Sequence, residues 1–170
     1  MNSDLLLEPM IRDLEDLHDN SRIWIYQADR NLTNEEVDFT RFQLNSFTQQ
    51  WTSHNRSLQA KGLVLYNRFV LVVLDEQASS SASGCSIDSQ VHFIQQLGNH
   101  LKADLMNRDL FIFLKEGGVK AIHMHSLKDH VEKGEISLKD KVFNNLVKTV
   151  AELKEGWQVS LEDSWHSRFI

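Results

Sequence analysis

Cysteine is all but missing from this chain. Of 170 residues only Cys85 carries a thiol, so no internal disulfide framework can form. A single cysteine fits a reducing compartment, and the expected location is cytoplasmic. Proline is as scarce, with Pro9 alone, and the seven glycines are scattered. No Pro-rich or Gly-rich stretch offers a linker between domains, so residues 1–170 are expected to form a single domain. At that length roughly 68–70% of the unfolded surface can be buried in one core.

Long apolar runs are lacking too. Phe69–Leu74 has six apolar residues in a row, far from the roughly 18 needed to cross a bilayer. The N-terminal MNSDLLLEPM has an acid where a secretory signal needs a basic region, and its apolar run is three leucines. Membrane insertion is therefore not expected. Positive charge is also short: 18 Lys and Arg against 24 Asp and Glu give a net charge of −6, and the basic residues are dispersed. Nucleic-acid binding draws most of its affinity from clustered cations, so no nucleic-acid partner is expected. The spacings CxxC, HExxH, GxSxG and an EF-hand loop are absent, as is any repeat of 20–50 residues.

What is present is a clear alternation of elements. Residues 5–18 have the spacing of a short amphipathic helix. RIWIYQA (22–28) places Ile23 and Ile25 on one side and Trp24 and Tyr26 on the other, the mark of a strand covered on both faces. Thr33-Asn34-Glu35-Glu36 has the form of a capping box, and Val37, Leu44, Phe47 and Trp51 make the stripe of the helix it opens. Phe39 and Phe42 fall nearly opposite that stripe, which predicts a second neighbour for this helix. TSHNRS (52–57) is a polar connection. LQAKGLVLY reads as an edge strand and RFVLVVL as a central one. A second helix is expected over 87–101, with Asp88, His92 and Gln95 along its flank. LFIFLKEGGVKAIHMH reads as a hairpin turning on Gly117-Gly118, followed by a short helix from Ser126, another near 147–155 and an aromatic tail. The recurring SLKD at 126–129 and 137–140 and SLED at 160–163 read as helix starts.

The order β-α-β-β-α-β plus one hairpin strand predicts an α+β fold. Its core would be a ferredoxin-like split βαβ sheet with an added hairpin strand and extra N- and C-terminal helices. The first and third strands are expected to be central, adjacent and parallel. The second sheet face would be covered by the N-terminal helix, by residues 126–170 or by another subunit.

Parallel inner strands would deliver Asp29, Arg30, Asp75, Glu76, Cys85, Ser86 and Asp88 to one rim, as ligand-binding candidates around the thiol. Free N–H groups at a helix start make a cysteine more nucleophilic, and Gly84 leaves room beside Cys85. The ordinary alternative is a small buried side chain, with Ser86 or Asp88 as the cap. A nucleophilic cysteine also needs a base. His123 and His125, two apart on the fifth strand, are expected about 14 Å away at ordinary strand spacing and facing solvent. His92 is the better-placed second catalytic candidate. Asp88 and His92 at i, i+4, with Asp75 or Glu76, are the only metal reading the spacing offers, and such a pair is more often a solvated helix flank.

Six stretches together, RIWIYQADR (22–30), QWTSHNR (50–56), YNRFVLVVLDE (66–76), SGCSIDSQVHF (83–93), VFNNLV (142–147) and DSWHSRF (163–169), resemble a small family of bacterial proteins of about this length. Members of that family often carry the label ABC transporter ATPase, which implies nucleotide hydrolysis. A P-loop needs GxxxxGK[ST], and none of the seven glycines here is followed by lysine. A nucleotide would have to bind by other means. The leading expectation is a soluble ligand-binding or protein-interaction domain, as a monomer or homodimer, with a small molecule or a protein as partner. Trp157, Trp165 and Phe169 are then either interface anchors or core closure. The competing expectation is a small enzyme or redox sensor built on Cys85. No cofactor is indicated by the sequence.

Overall fold

A computed structural model describes residues 14–15, 17–78 and 80–170. The helix expected over 5–18 falls mostly outside the described residues. Leu14 and Leu17, which are within them, are buried.

The protein is α+β, as its element order implies. Strand β1 (Arg22–Gln27) leads to helix α1 (Asn34–Gln50). A small hairpin follows, β2 (Thr52–Ser53) and β3 (Arg56–Ser57), then β4 (Ala60–Leu65) and β5 (Phe69–Leu74). Helix α2 (Gly84–Leu101) crosses back before the β6 (Leu110–Lys115) and β7 (Gly118–His123) hairpin. The remainder is α3 (Leu127–Glu132), β8 (Lys141–Phe143), α4 (Val150–Gly156), β9 (Gln158–Ser160) and two 3-10 turns to Phe169.

These strands build two main sheets, in the orders β1-β5-β4 and β7-β6-β8-β9. In β5 all six residues are buried, and their alternation divides them between two cores. Val70, Val72 and Leu74 meet α1 and α2 through Val37, Leu44, Ile94 and Leu97. Phe69, Leu71 and Val73 meet Ile112, Phe143, Leu153 and Trp157. The second sheet, with α4, thus covers the face that two helices leave bare; of the three covers the sequence allowed, residues 126–170 supply part, joined by the β6–β7 hairpin and by Leu14 and Leu17. Its own outer side, Phe111, Phe113, Ile122 and Val142, is closed by Leu127, Ile136, Leu161 and the aromatic tail. Trp165 and Phe169 pack edge-on to Phe111 at 5.5 and 5.1 Å between centroids, so the tail closes a core.

Strand direction corrects the expected topology. β1 and β5 are neighbours, but they run antiparallel, with Arg22 opposite Leu74 and Gln27 opposite Phe69. The reason is inherent in a split βαβ unit. A crossover through α1 makes β1 and β4 run the same way, and the hairpin strand β5 inserted between them must oppose both. The single ferredoxin-like sheet is also not what forms. Directly after α2 the chain meets β1 at one parallel bridge, Met106 to Gln27, and it returns to β1 at the antiparallel bridge of Thr149 to Arg22. A fourth strand on β1 would have to run the other way, so the chain turns off and β6 enters the second sheet.

Local chemistry matches the sequence at several places. Thr33 Oγ1 accepts the Glu36 N–H and Glu36 Oε1 accepts the Thr33 N–H, the reciprocal box expected there. Helix α2 starts earlier than expected because Ser83 is its cap, boxed with Ser86. The β6–β7 turn sits one residue earlier too, since Lys115 pairs with Gly118 and the loop is Glu116-Gly117, with Gly117 at φ 83°. Residues 137–140 form a turn closed on the Asp140 carboxylate rather than a helix start. Phe39 stacks on His100 at 4.5 Å, whereas Phe42 is 68% exposed and has no covering element among the described residues.

Gly62 lets β4 approach α1: a Cβ there would lie 2.7 Å from the Leu44 Cβ. Gly62→Ala is expected to lower stability by about 1–3 kcal/mol, read as a fall in urea midpoint. Leu44→Ala removes the Cγ and Cδ2 contacts at 3.1 Å but keeps the Cβ that makes the closest one, so added to Gly62→Ala it should recover little of that loss.

Candidate functional site

The site begins with what β1 does not have. Both of its faces are covered, but it is the end strand of its sheet, so one backbone edge has no neighbouring strand. Only its two ends are tied. Near the start, the Ile23 N–H donates to Lys148 O and the Val150 N–H to Ser21 O, each about a normal length at 2.9 and 3.0 Å. Near the end, the Gln27 N–H donates to Leu105 O at 2.9 Å.

Between these ties a cavity of about 480 Å³ opens along the edge. Its floor is β1 itself. Its sides come from the α2–β6 connection (Leu105–Arg108), the 145–148 segment after β8, Val91 of α2, and Trp165 and His166 of the tail. The walls are mainly apolar and aromatic, with Trp24, Tyr26, Phe111, Phe143 and Trp165 among them.

Polar groups fix that wall. Trp157 Nε1–H donates to Asn145 Oδ1 at 3.0 Å, Asn145 Nδ2–H to Gln27 Oε1 at 3.0 Å, and Gln27 Nε2–H to Leu110 O at 2.8 Å. This chain of donors clamps the open strand to the second sheet at its Gln27 end. Tyr26 donates to Gln90 Oε1 at 2.5 Å, and burial pushes its hydroxyl pKa up to about 12, so it stays a neutral donor.

His166 is 2% exposed, and burial lowers its pKa to about 4, so a neutral imidazole lines the cleft near neutral pH. Its ring stacks on Trp165 at 3.9 Å and meets the Phe111 edge at 4.5 Å. Nδ1 lies 2.5 Å from Ser164 Oγ, which also accepts the His166 backbone N–H at 3.5 Å.

The remaining ionisable lining residues are Arg108 and Lys148, one at each end of the cleft. Both are exposed, and neither side chain has an ion-pair partner among the described residues. No Asp or Glu lines the cavity, although the chain as a whole is acidic.

The residues expected on one rim are not brought together. Antiparallel β1 and β5 send Asp29 and Arg30 to one end of the sheet and Asp75 and Glu76 to the other. The Arg30 guanidinium donates to Leu101 O at the end of α2, whereas Cys85 stands in its first turn. Sixteen residues of helix put about 24 Å between those ends.

Five of the dispersed residues have structural tasks nearby. Asp29 Oδ1 accepts the Asp104 N–H, tying the α2–β6 connection to β1. Arg30 grips both carboxylate oxygens of Glu36 at 2.9 and 2.7 Å, and that pairing holds the Glu36 pKa down to about 2. Asp75 Oδ1 closes a turn on the Gln77 and Ala78 N–H groups, Glu76 lies 3.8 Å from Arg22, and Ser86 completes the α2 box.

Cys85 is exposed rather than buried. His92 lies seven residues further along α2, about 10 Å along its axis, and no hydrogen bond joins the two. Asp88 and His92 are both exposed. Among the described residues no group of three His, Cys, Asp or Glu side chains is placed to hold a metal ion. His123 and His125 are exposed, as expected, but His125 sits in a 3-10 turn rather than on the strand.

Sequence reading missed the cleft because its walls come from four separate segments and part of its chemistry is backbone. One signal was available. Four of the stretches on which the family resemblance rests, 22–30, 83–93, 142–147 and 163–169, meet at this cavity.

Fold and site together define an α+β protein with an amphipathic pocket at an interrupted sheet edge. No family model, curated protein or solved structure matches the chain. No helix among the described residues is long and apolar enough to cross a membrane.

Proposed function

We propose that this chain is a ligand-binding domain whose site is the cleft beside β1, and that its ligand is a small apolar molecule bearing a carboxylate or similar anion. The observation that carries the reading is the charge of the lining: two cations and a neutral imidazole, without an acid, in a chain of net charge −6. A cavity of about 480 Å³ is in the range of small-molecule sites, and the aromatic walls supply area for an apolar body.

Trp24 and Trp165 line the cleft, so occupancy should be visible in tryptophan emission. Titration with decanoate is expected to give a saturable change. Hydrogen bonds to charged groups contribute about 1.5–3 kcal/mol, so Arg108→Ala with Lys148→Ala should weaken binding at least about tenfold. Cys85→Ser and His92→Ala should leave it unchanged. An undiminished affinity in the double-alanine protein, or loss of binding on replacing Cys85, would overturn the reading. ATP in the same titration tests the nucleotide that the family label implies.

A further inference from the structure

The cleft has a feature that a simple apolar anion does not use. Along β1, the N–H groups of Ile23 and Gln27 point to the outer edge, where they donate to Lys148 O and Leu105 O. Side-to-side alternation has a period of two, so the Ile25 N–H and C=O point the same way. Ala28 confirms the phase, since its N–H donates inward to Arg68 O of the neighbouring strand's approach. Ile25 lies on the cavity wall. No described residue is hydrogen-bonded to its outward N–H, while the N–H groups two places before and after both have partners.

We propose that the ligand of this cleft is a short extended peptide, added as a strand against Ile25, with apolar side chains, a blocked N-terminus and a free C-terminal carboxylate. The proposal rests on the cleft being the binding site and names its ligand class. Added strands draw affinity from main-chain hydrogen bonds and specificity from pockets for alternate side chains. From Ile23 to Gln27 the edge spans about 13 Å at the usual rise, room for about three residues.

The walls match such an occupant. In β1, Ile23 and Ile25 face the inter-sheet core and Trp24 and Tyr26 face the helices. A strand alongside would set its own side chains alternately between Val91 on one side and Phe143 and Val147 on the other, all of which line the cavity. The termini follow from charge. Lys148 stands at the Ile23 end and Arg108 at the Gln27 end, so a carboxylate meets a cation whichever direction the peptide runs. A free α-amine would meet the other cation, and an acyl block removes that repulsion.

The probe is N-acetyl-Leu-Val-Leu, followed by amide NMR of the full chain alongside its C-terminal amide, its free-amine form, its fully N-methylated analogue and decanoate. The acetylated acid is expected to move the Ile25 amide proton downfield, with the N-methylated analogue and the C-terminal amide each at least tenfold weaker. Equal binding by the N-methylated analogue would overturn strand addition. So would binding of decanoate while the peptide fails, with the cleft reading then still standing. Failure of both peptide and decanoate would remove the cleft reading as well.

Discussion

Replacing Trp157 with alanine is expected to destabilise the protein by about 3–5 kcal/mol, the range for emptying a large aromatic site in a core. Trp157 is 1% exposed. Its ring meets Tyr66, Phe69 and Phe143 at 5.9, 5.0 and 4.8 Å between centroids, where α4, β8 and the first sheet converge. Its indole N–H also heads the hydrogen-bond chain through Asn145 to Gln27. The substitution therefore leaves a cavity and an unpaired acceptor together. Against a usual total of about 5–15 kcal/mol, that loss is a large share, and the urea midpoint should fall further than it does for Trp157→Phe. Trp157→Phe keeps part of the ring contact and loses the N–H. A chain ending at residue 155 loses Trp157, β9 and the cover over Phe111, and is expected not to fold. A truncated chain melting like the full one would contradict this account of the tail.

Acid should destabilise the protein in two steps with different owners. His166 has its pKa lowered to about 4 by burial, against 6.5 for the free side chain. Between those values the unfolded chain takes up a proton that the folded one refuses. The stability contributed by the neutral histidine is thus complete above about pH 6.5 and lost as pH falls toward 4. A shift of that size corresponds to about 3 kcal/mol. Glu36 acts lower. Its pKa is held down to about 2 from 4.5, first by Arg30 and then by the Thr33 N–H. Its contribution is present above about pH 4.5 and fades as pH falls through 2. Urea midpoints of the parent and His166→Asn proteins from about pH 7 down to about pH 3 separate the two. The asparagine protein should lose the slope between pH 6.5 and 4 and keep the fall below 4.5. Parallel pH curves for both proteins would show that His166 is not the group responsible.

Local rules were readable in the sequence where a few adjacent residues decide the outcome. Thr33 and Glu36 announce the start of α1 because capping is settled within one turn. Phe69–Leu74 announces a central strand because only burial on both faces tolerates such a run. The direction of β5 was also implicit, since a hairpin inside a crossover leaves one choice, and expecting parallel inner strands overlooked it. The second sheet was hidden for a different reason. Lys141–Phe143 and Gln158–Ser160 are three-residue strands, too short for alternation to stand out, and they exist because β6 gives β8 an edge to pair with and β8 gives one to β9. The cleft was least legible. Ile25 is one more isoleucine in sequence, and only the ties at Ile23 and Gln27 make its backbone an open position.

The central claim is that β1 is closed at both ends and open at Ile25, and amide hydrogen exchange of the free protein tests it residue by residue. The Ile23, Trp24, Tyr26 and Gln27 amides should be protected, and the Ile25 amide should exchange markedly faster than all four. An Ile25 amide protected to the same degree as Tyr26 would mean that the edge is already paired, leaving the cleft no strand to offer a ligand.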